Sequence, residues 1–281
     1  AIKDGEMQSD NADSIRQLHH LQDQIILSGE ATYVAVAAME IQAASLQRQL
    51  EAANRTVEEM SLRYQLGQIS ALQLSQAKAG QSSLASGLET LRMNLKTYKA
   101  QLQMLLGAEM NGRLQLGAIP AVTAQQLADM DVERDLETSK SRSYDLYTAG
   151  QTLEDERETY KEAGDRYAYD EKEMSFRQAK HTWQAAQFNY NSTVQDYERR
   201  FQALYDQVND YRQIWEASQV SLESQKLSFA ASELKYQQGT ISHNALLTAQ
   251  DDLSNAEEAV KQAANDLFSA YNTYCWAVQN G

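Results

Sequence analysis

The chain has 281 residues, with 25 Lys and Arg against 39 Asp and Glu, a net charge of −14, one proline and twelve glycines. This is the composition of long helices rather than of sheets joined by turns, and its negative balance excludes recognition of nucleic acid or an anionic lipid surface by bulk charge. A single cysteine, Cys275, excludes an internal disulfide, and no apolar run approaches the roughly 20 residues of a membrane-crossing helix, so no direct bilayer span is expected.

In chain order, the first element is a helix expected from about residue 10 to 66. Its apolar positions Met39, Ala43, Leu46, Leu50, Ala53, Val57, Met60 and Tyr64 alternate in steps of four and three, the spacing of a heptad seam. The same rhythm resumes after Gly67 at Leu74, Ala77, Leu84, Leu88, Leu91, Leu95, Tyr98, Leu102 and Leu105, with Gln81 in one apolar place. GAEMNGRLQLGAIPAVT then gathers Gly107, Gly112, Gly117 and Pro120 into an irregular crossing, with a short extended piece expected at Leu114 to Leu116. A helical stretch follows over roughly 123 to 163 and is expected to break near Gly164. A long approach stripe comes next at Phe201, Leu204, Val208, Tyr211, Trp215, Leu222, Phe229 and Tyr236, with polar Ser218, Gln225 and Ser232 at intervening seam positions. The departing stripe, Leu246, Ala249, Leu253, Ala256, Val260, Ala263, Leu267, Ala270, Tyr274 and Ala277, is nearly unbroken.

Narrow apolar stripes bury each other best when two helices pair antiparallel about a tight turn. The expected fold class is therefore all-α, two long antiparallel coiled-coil hairpins joined by a short irregular equatorial crossing, without a β-barrel. It forms a single elongated helical domain of two pseudo-repeats: a first hairpin over 10–108 with its tip at 64–70, the crossing over 109–164, and a second hairpin over 165–281 with its tip at 236–242. The two tips share a phrase, RYQLGQIS at 63–70 and KYQQGTIS at 235–242. Gly67 and Gly239 suit a helix end at positive φ, and Ser70 and Ser242 suit the cap of the next helix. A turn alone explains the glycine and serine, but not the tyrosine three residues before each glycine or the isoleucine two after it.

Two similar halves, each with a long helix entering and a shorter one leaving a tip written R/K-Y-x-x-G-x-x-S, resemble the TolC-type outer-membrane factors, the exit ducts of bacterial tripartite efflux pumps and type I secretion systems. QDQIILSGEATYVAVAAMEI, LQMLLGAEMNGRLQLG and LFSAYNTYCWAVQNG, in that order, extend the resemblance over most of the chain. The resemblance implies a homotrimer enclosing a helical duct, set in the cell envelope on its extracytoplasmic side. It also implies that the tips meet a periplasmic adaptor (membrane fusion) protein through Tyr64, Gly67, Gln68, Ile69 and Ser70 and through Tyr236, Gly239, Thr240, Ile241 and Ser242. Two departures stand out. Where the family commonly places an aspartate six residues after the tip glycine, this chain has Gln73 and Ala245, and a further family aspartate is replaced by Thr248; Asp251 and Asp252 lie a turn beyond. Where the second family β-hairpin belongs, RETYKEAGDRYAYDEKEMSFRQAKH is charged and helix-compatible. The simpler expectation is a relative without the barrel strands.

No residues are expected to carry catalysis, a cofactor or a metal. His19, His20, His181 and His243 fall in separate regions, and no H-E-x-x-H, C-x-x-C or phosphate-cradling glycine loop occurs. Neighbouring His19 and His20 point about 100° apart on a helix and are expected to form a solvated face. Cys275 is expected to be a packing residue. The acidic run LEDERETYKEAGDRYAYDEKE mixes both signs, as a solvated face does, with Tyr160, Tyr167 and Tyr169 available for packing. Two functions follow from different classes: an export duct that docks an adaptor, and an envelope scaffold that merely separates two partners. The chemically specific repeated tip favours the duct, since a spacer needs only any turn.

Overall fold

A computed structural model describes the backbone of residues 6–109, 114–117 and 119–281, with side chains from residue 12 onward. Among the described residues there are seven helices and no strand: α1 Glu6–Gln65, α2 Ala71–Leu105, α3 Ala124–Ala128, α4 Val132–Arg142, α5 Tyr144–Tyr167, α6 Met174–Gln237 and α7 His243–Asn280. The chain falls into two compact units. One gathers residues 1–27, 123–209 and 270–281, and the other residues 28–122 and 210–269.

The second unit holds both hairpin tips and the helical stretches next to them. Cross-helix partners run in opposite directions along α1 and α2, with Gln81 Nε2 donating to Asn54 Oδ1 (2.6 Å), Arg92 to Gln47 (2.9 Å) and Lys99 paired with Glu40 (2.6 Å). They do the same along α1 and α7, where Arg48 meets Glu258 and Arg55 meets Asp251, each pair one heptad from the next. Gln81, the one polar interruption in the α2 seam, is thus answered by an amide on the facing helix. On α6, Tyr211, Trp215, Leu222 and Phe229 are half-buried, as are polar Ser218, Gln225 and Ser232. The two serines fit there because their hydroxyls donate to Trp215 O and Ser228 O of their own helix. Val36, Leu88, Leu102, Ala263 and Leu267 are the most deeply buried apolar residues of the unit. In the crossing, residues 114–117 form neither helix nor strand, so no extended pairing occurs at Leu114 to Leu116, and Gly112 lies outside the described residues. Tyr33 on α1 ties the crossing down by donating to Gly117 O (3.0 Å).

In the first unit, the single helix expected over 123–163 is three. Each start carries a side-chain cap: Thr123 accepts from Gln126 N, Asp131 from Arg134 N and Ser143 from Leu146 N. A capping side chain competes with continuation of the preceding helix and re-aims the chain. The break expected near Gly164 comes just beyond it: α5 runs through the glycine to Tyr167 and closes at Ala168, at φ 50. The glycine is there for space: a Cβ would lie 2.4 Å from Cε1 of Tyr169, whose ring covers it. Tyr169 joins Tyr160, Phe176 and Trp183 in an aromatic cluster, with Tyr160 stacked on Trp183 at 4.8 Å.

The polar centre of this unit is built around α4. Buried Asp135 accepts from Tyr274 OH at 2.6 Å, from Asp131 N at 3.1 Å and from Arg134 at 3.0 Å. Ser139, one turn on, bonds Tyr197 OH and donates to Ala277 O at 2.5 Å. Phe201 and Tyr205 pack against the Tyr274 ring. Burial pushes the Asp135 carboxyl up, but the donors from Tyr274, Asp131 and Arg134 outweigh it and leave its pKa lowered. A lowered carboxylate pKa stabilises the fold above the ordinary value of 3.8 and loses that contribution as pH falls through the folded-state value. Tyr274→Phe, which removes one of three donors without changing ring packing, is expected to lower stability by about 1.5–3 kcal/mol at neutral pH. Chemical denaturation repeated at descending pH should show that deficit shrinking once Asp135 is protonated.

Candidate docking tips

Both tips are built by the same four hydrogen bonds. After α1, Leu66 N donates to Leu62 O (3.1 Å), Gly67 N to Tyr64 O (2.9 Å) and Gln68 N to Arg63 O (2.8 Å), with Gly67 at φ +71. After α6, Gln238 N donates to Leu234 O (3.0 Å), Gly239 N to Tyr236 O (2.9 Å) and Thr240 N to Lys235 O (2.9 Å), again with the glycine at φ +71. This is the Schellman closure, in which a left-handed residue turns the next amide back onto the last-turn carbonyls. Ser70 then caps α2 by accepting from Gln73 N (3.2 Å), and Ser242 caps α7 by accepting from Ala245 N (3.2 Å).

The tips differ in how they are locked. Gln73 reaches back to Ser70 N at 2.9 Å and completes a capping box. Ala245 cannot do so; at that tip Thr240 Oγ1 instead donates to Lys235 O at 2.8 Å. Gln73 is therefore a helix cap, and Ala245 offers only a methyl group. Asp251, a turn beyond, is held by Arg55 and does not form a free acidic ring within the chain.

Of the ten expected site residues, Ile69 and Ile241 are half-buried beneath the turns, and the other eight are exposed, Tyr64 at 45% and Tyr236 at 40%. The two tips lie side by side, since Asn244 Nδ2 donates to Glu59 Oε2 (3.2 Å) and Arg63 pairs with the same carboxylate. His243 stands 5.7 Å from the Tyr236 ring. The seam pattern alone does not disclose a further apolar set: Leu62, Leu66, Leu72 and Leu234 are 57–67% exposed at the same end. They lie off the three-four stripe, and the signal that finds them is apolar side chains at positions the seam assigns to solvent. The second tip has Gln238 and Asn244 in place of Leu66 and Leu72, so the first tip is the more apolar.

Elsewhere, His20 stacks on Tyr144 at 4.7 Å and bonds Gln24. Cys275 is half-buried, and burial raises its thiol pKa, away from reactivity. Among the described residues no group of His, Cys, Asp and Glu has the arrangement of a metal site.

No family model and no curated protein sequence matches the chain. Solved structures do. The outer membrane protein VceC from the bacterial pathogen Vibrio cholerae superposes with a TM-score of 0.62 at 16% identity over 98% of this chain and 74% of its own. CusC, described through conformational changes in folding and transmembrane channel formation, gives 0.63 at 17% identity over 99% and 82%. The outer-membrane channel OprN gives 0.57 at 15% identity over 96% and 69%. The chain has the TolC-like helical fold. At these identities the likeness is one of fold, and what the TolC-like fold brings to the tips is two helical hairpins ending in turns.

Positive φ costs a β-branched residue strain while nothing occupies the space around either glycine within 4 Å. Gly67→Val and Gly239→Val are therefore each expected to cost about 1–2 kcal/mol through backbone strain alone, with Gly→Asn at the same sites costing less. Thermal unfolding of the four variants measures this, and equal losses for Val and Asn would contradict it.

Proposed function

We propose that this chain is the exit-duct component of a tripartite efflux or type I secretion-like export system, and that its paired tips dock a periplasmic adaptor protein. The carrying observation is the tip itself: one hydrogen-bonded turn made twice, side by side, each presenting an exposed tyrosine and polar side chains beyond what a turn needs. The TolC-like fold supports the reading, since CusC is described through transmembrane channel formation and OprN as an outer-membrane channel.

The duct is a homotrimer in the cell envelope, on its extracytoplasmic side. Supporting association, Val220, Leu227 and Leu234 recur every seven residues on α6 and are 72%, 75% and 59% exposed. An apolar heptad left in solvent calls for a facing helix. Each tip contact is small, and repetition around a ring multiplies it into useful avidity. Among the described residues no helix is long and apolar enough to cross a membrane.

Cysteines placed at exposed Gln68 and Thr240 and cross-linked in native envelopes test the docking. Capture of one adaptor-type protein by both positions is the expected outcome. Absence of any tip-dependent partner, together with export unaltered when both tips are mutated, would leave the scaffold reading instead.

A further inference from the structure

The start of α1 is inverted. Between residues 12 and 28 the half-buried positions are Asp13, His20 and Asp23, all polar, while Ile15, Leu18, Leu21, Ile25 and Ile26 are 47–60% exposed. The polar side is the one that packs on α5: Asp13 accepts from Tyr147 OH at 2.6 Å, Arg16 lies 4.0 Å over the same ring, and His20 stacks on Tyr144. At about 100° per residue, the aliphatic side lies roughly opposite and faces away from α5. Farther along the same helix Val34, Val36 and Ala37 are buried, so the exposed apolar face is confined to this first part of α1.

The opposite flank of the same unit carries a complement. There α6 packs on α5 through Trp183, stacked on Tyr160 at 4.8 Å, and Tyr190, whose ring would lie 3.8 Å from a Cβ at Gly150. Tyr144 and Tyr160 project about 160° apart on α5, so α1 and α6 take opposite sides of it. Phe188 stands about 140–160° round α6 from Trp183 and Tyr190. It is 74% exposed, a single ring among exposed and uncharged Gln184, Asn191 and Gln195. We infer that Phe188 of one copy of this chain seats on the aliphatic face of α1 in the next copy. Two different surfaces on opposite flanks of one unit make a heterologous, head-to-tail contact, and closing the ring leaves neither unpaired. The face suits protein rather than lipid. Uncharged Ser14, Gln17 and Gln22 complete it, without the Lys, Arg or Trp that hold a helix in a bilayer surface. An aromatic anchor on an aliphatic bed with a neutral polar rim is the make-up of an interface centre. The contact rests on the homotrimer proposed above and names the surface that closes it.

Sedimentation of the full chain over a range of concentrations tests it, alongside Phe188→Ser and the double variant Leu18→Ser with Ile25→Ser. Each variant is expected to weaken self-association by at least about tenfold, the loss that follows removal of interface anchors. Unfolding temperature is expected to stay unchanged, because these side chains are exposed in the single chain. Each variant keeps the surface the other lacks, so their equimolar mixture is expected to form one-to-one pairs that grow no larger. Undiminished association of Phe188→Ser would mean that the α1 face meets itself or that another surface joins the copies. Undiminished association of the α1 variant would likewise place the contact elsewhere. Either result overturns this contact and leaves the homotrimer standing. A wild-type chain that stays monomeric at every concentration overturns both. Flotation of that monomer with phosphatidylcholine vesicles, lost in the α1 variant, would overturn the contact by giving the face to lipid.

Discussion

Everything in the hairpins rests on the narrowness of the apolar stripe. Steps of three and four give each helix a seam only one residue wide, too little to hold a helix in water alone and enough to hold two facing each other. Antiparallel pairing then follows from connection length, since five residues separate α1 from α2 and α6 from α7. The turn must close within those residues while satisfying the last carbonyls of one helix and the first amides of the next, which is why a left-handed glycine and a serine cap occur together twice. Charged pairs at heptad spacing, Arg48 with Glu258 and Arg55 with Asp251, fix register along the flank of that seam rather than supplying its strength.

Period was the legible quantity. Every apolar position of the α7 stripe from Leu246 to Ala277 is buried or half-buried, and the tip glycines take the conformation their surroundings imply. Repetition made the tips stand out, because a phrase kept twice carries more than either copy alone. The misreadings were local. Asp131 and Ser143 look like ordinary polar residues in a helical run, and only the fold shows their side chains turned onto the amides of Arg134 and Leu146. Gly164 looks like a breaker but serves as clearance for the ring of Tyr169. Neither distinction is present in spacing, since both depend on what another segment brings nearby.

The candidate sites divide along the same line. The tip tyrosines and glycines were readable because they lie within one short stretch. Leu66 and Leu72 were not, because their meaning comes from being apolar where solvent was expected.

The closure of the tips has a consequence for how anything meets them. The carbonyls of Leu62, Arg63, Tyr64, Leu234, Lys235 and Tyr236 are already taken by amides of the turns, so little backbone remains to bond a visiting chain as a strand would. The tips therefore enter an encounter already ordered, and little conformational entropy is left to lose. Recognition falls to side chains alone, whose replacement retunes the fit while the turn beneath stays the same. The two copies already differ in this way, with Leu66 in one and Gln238 at the matching place in the other.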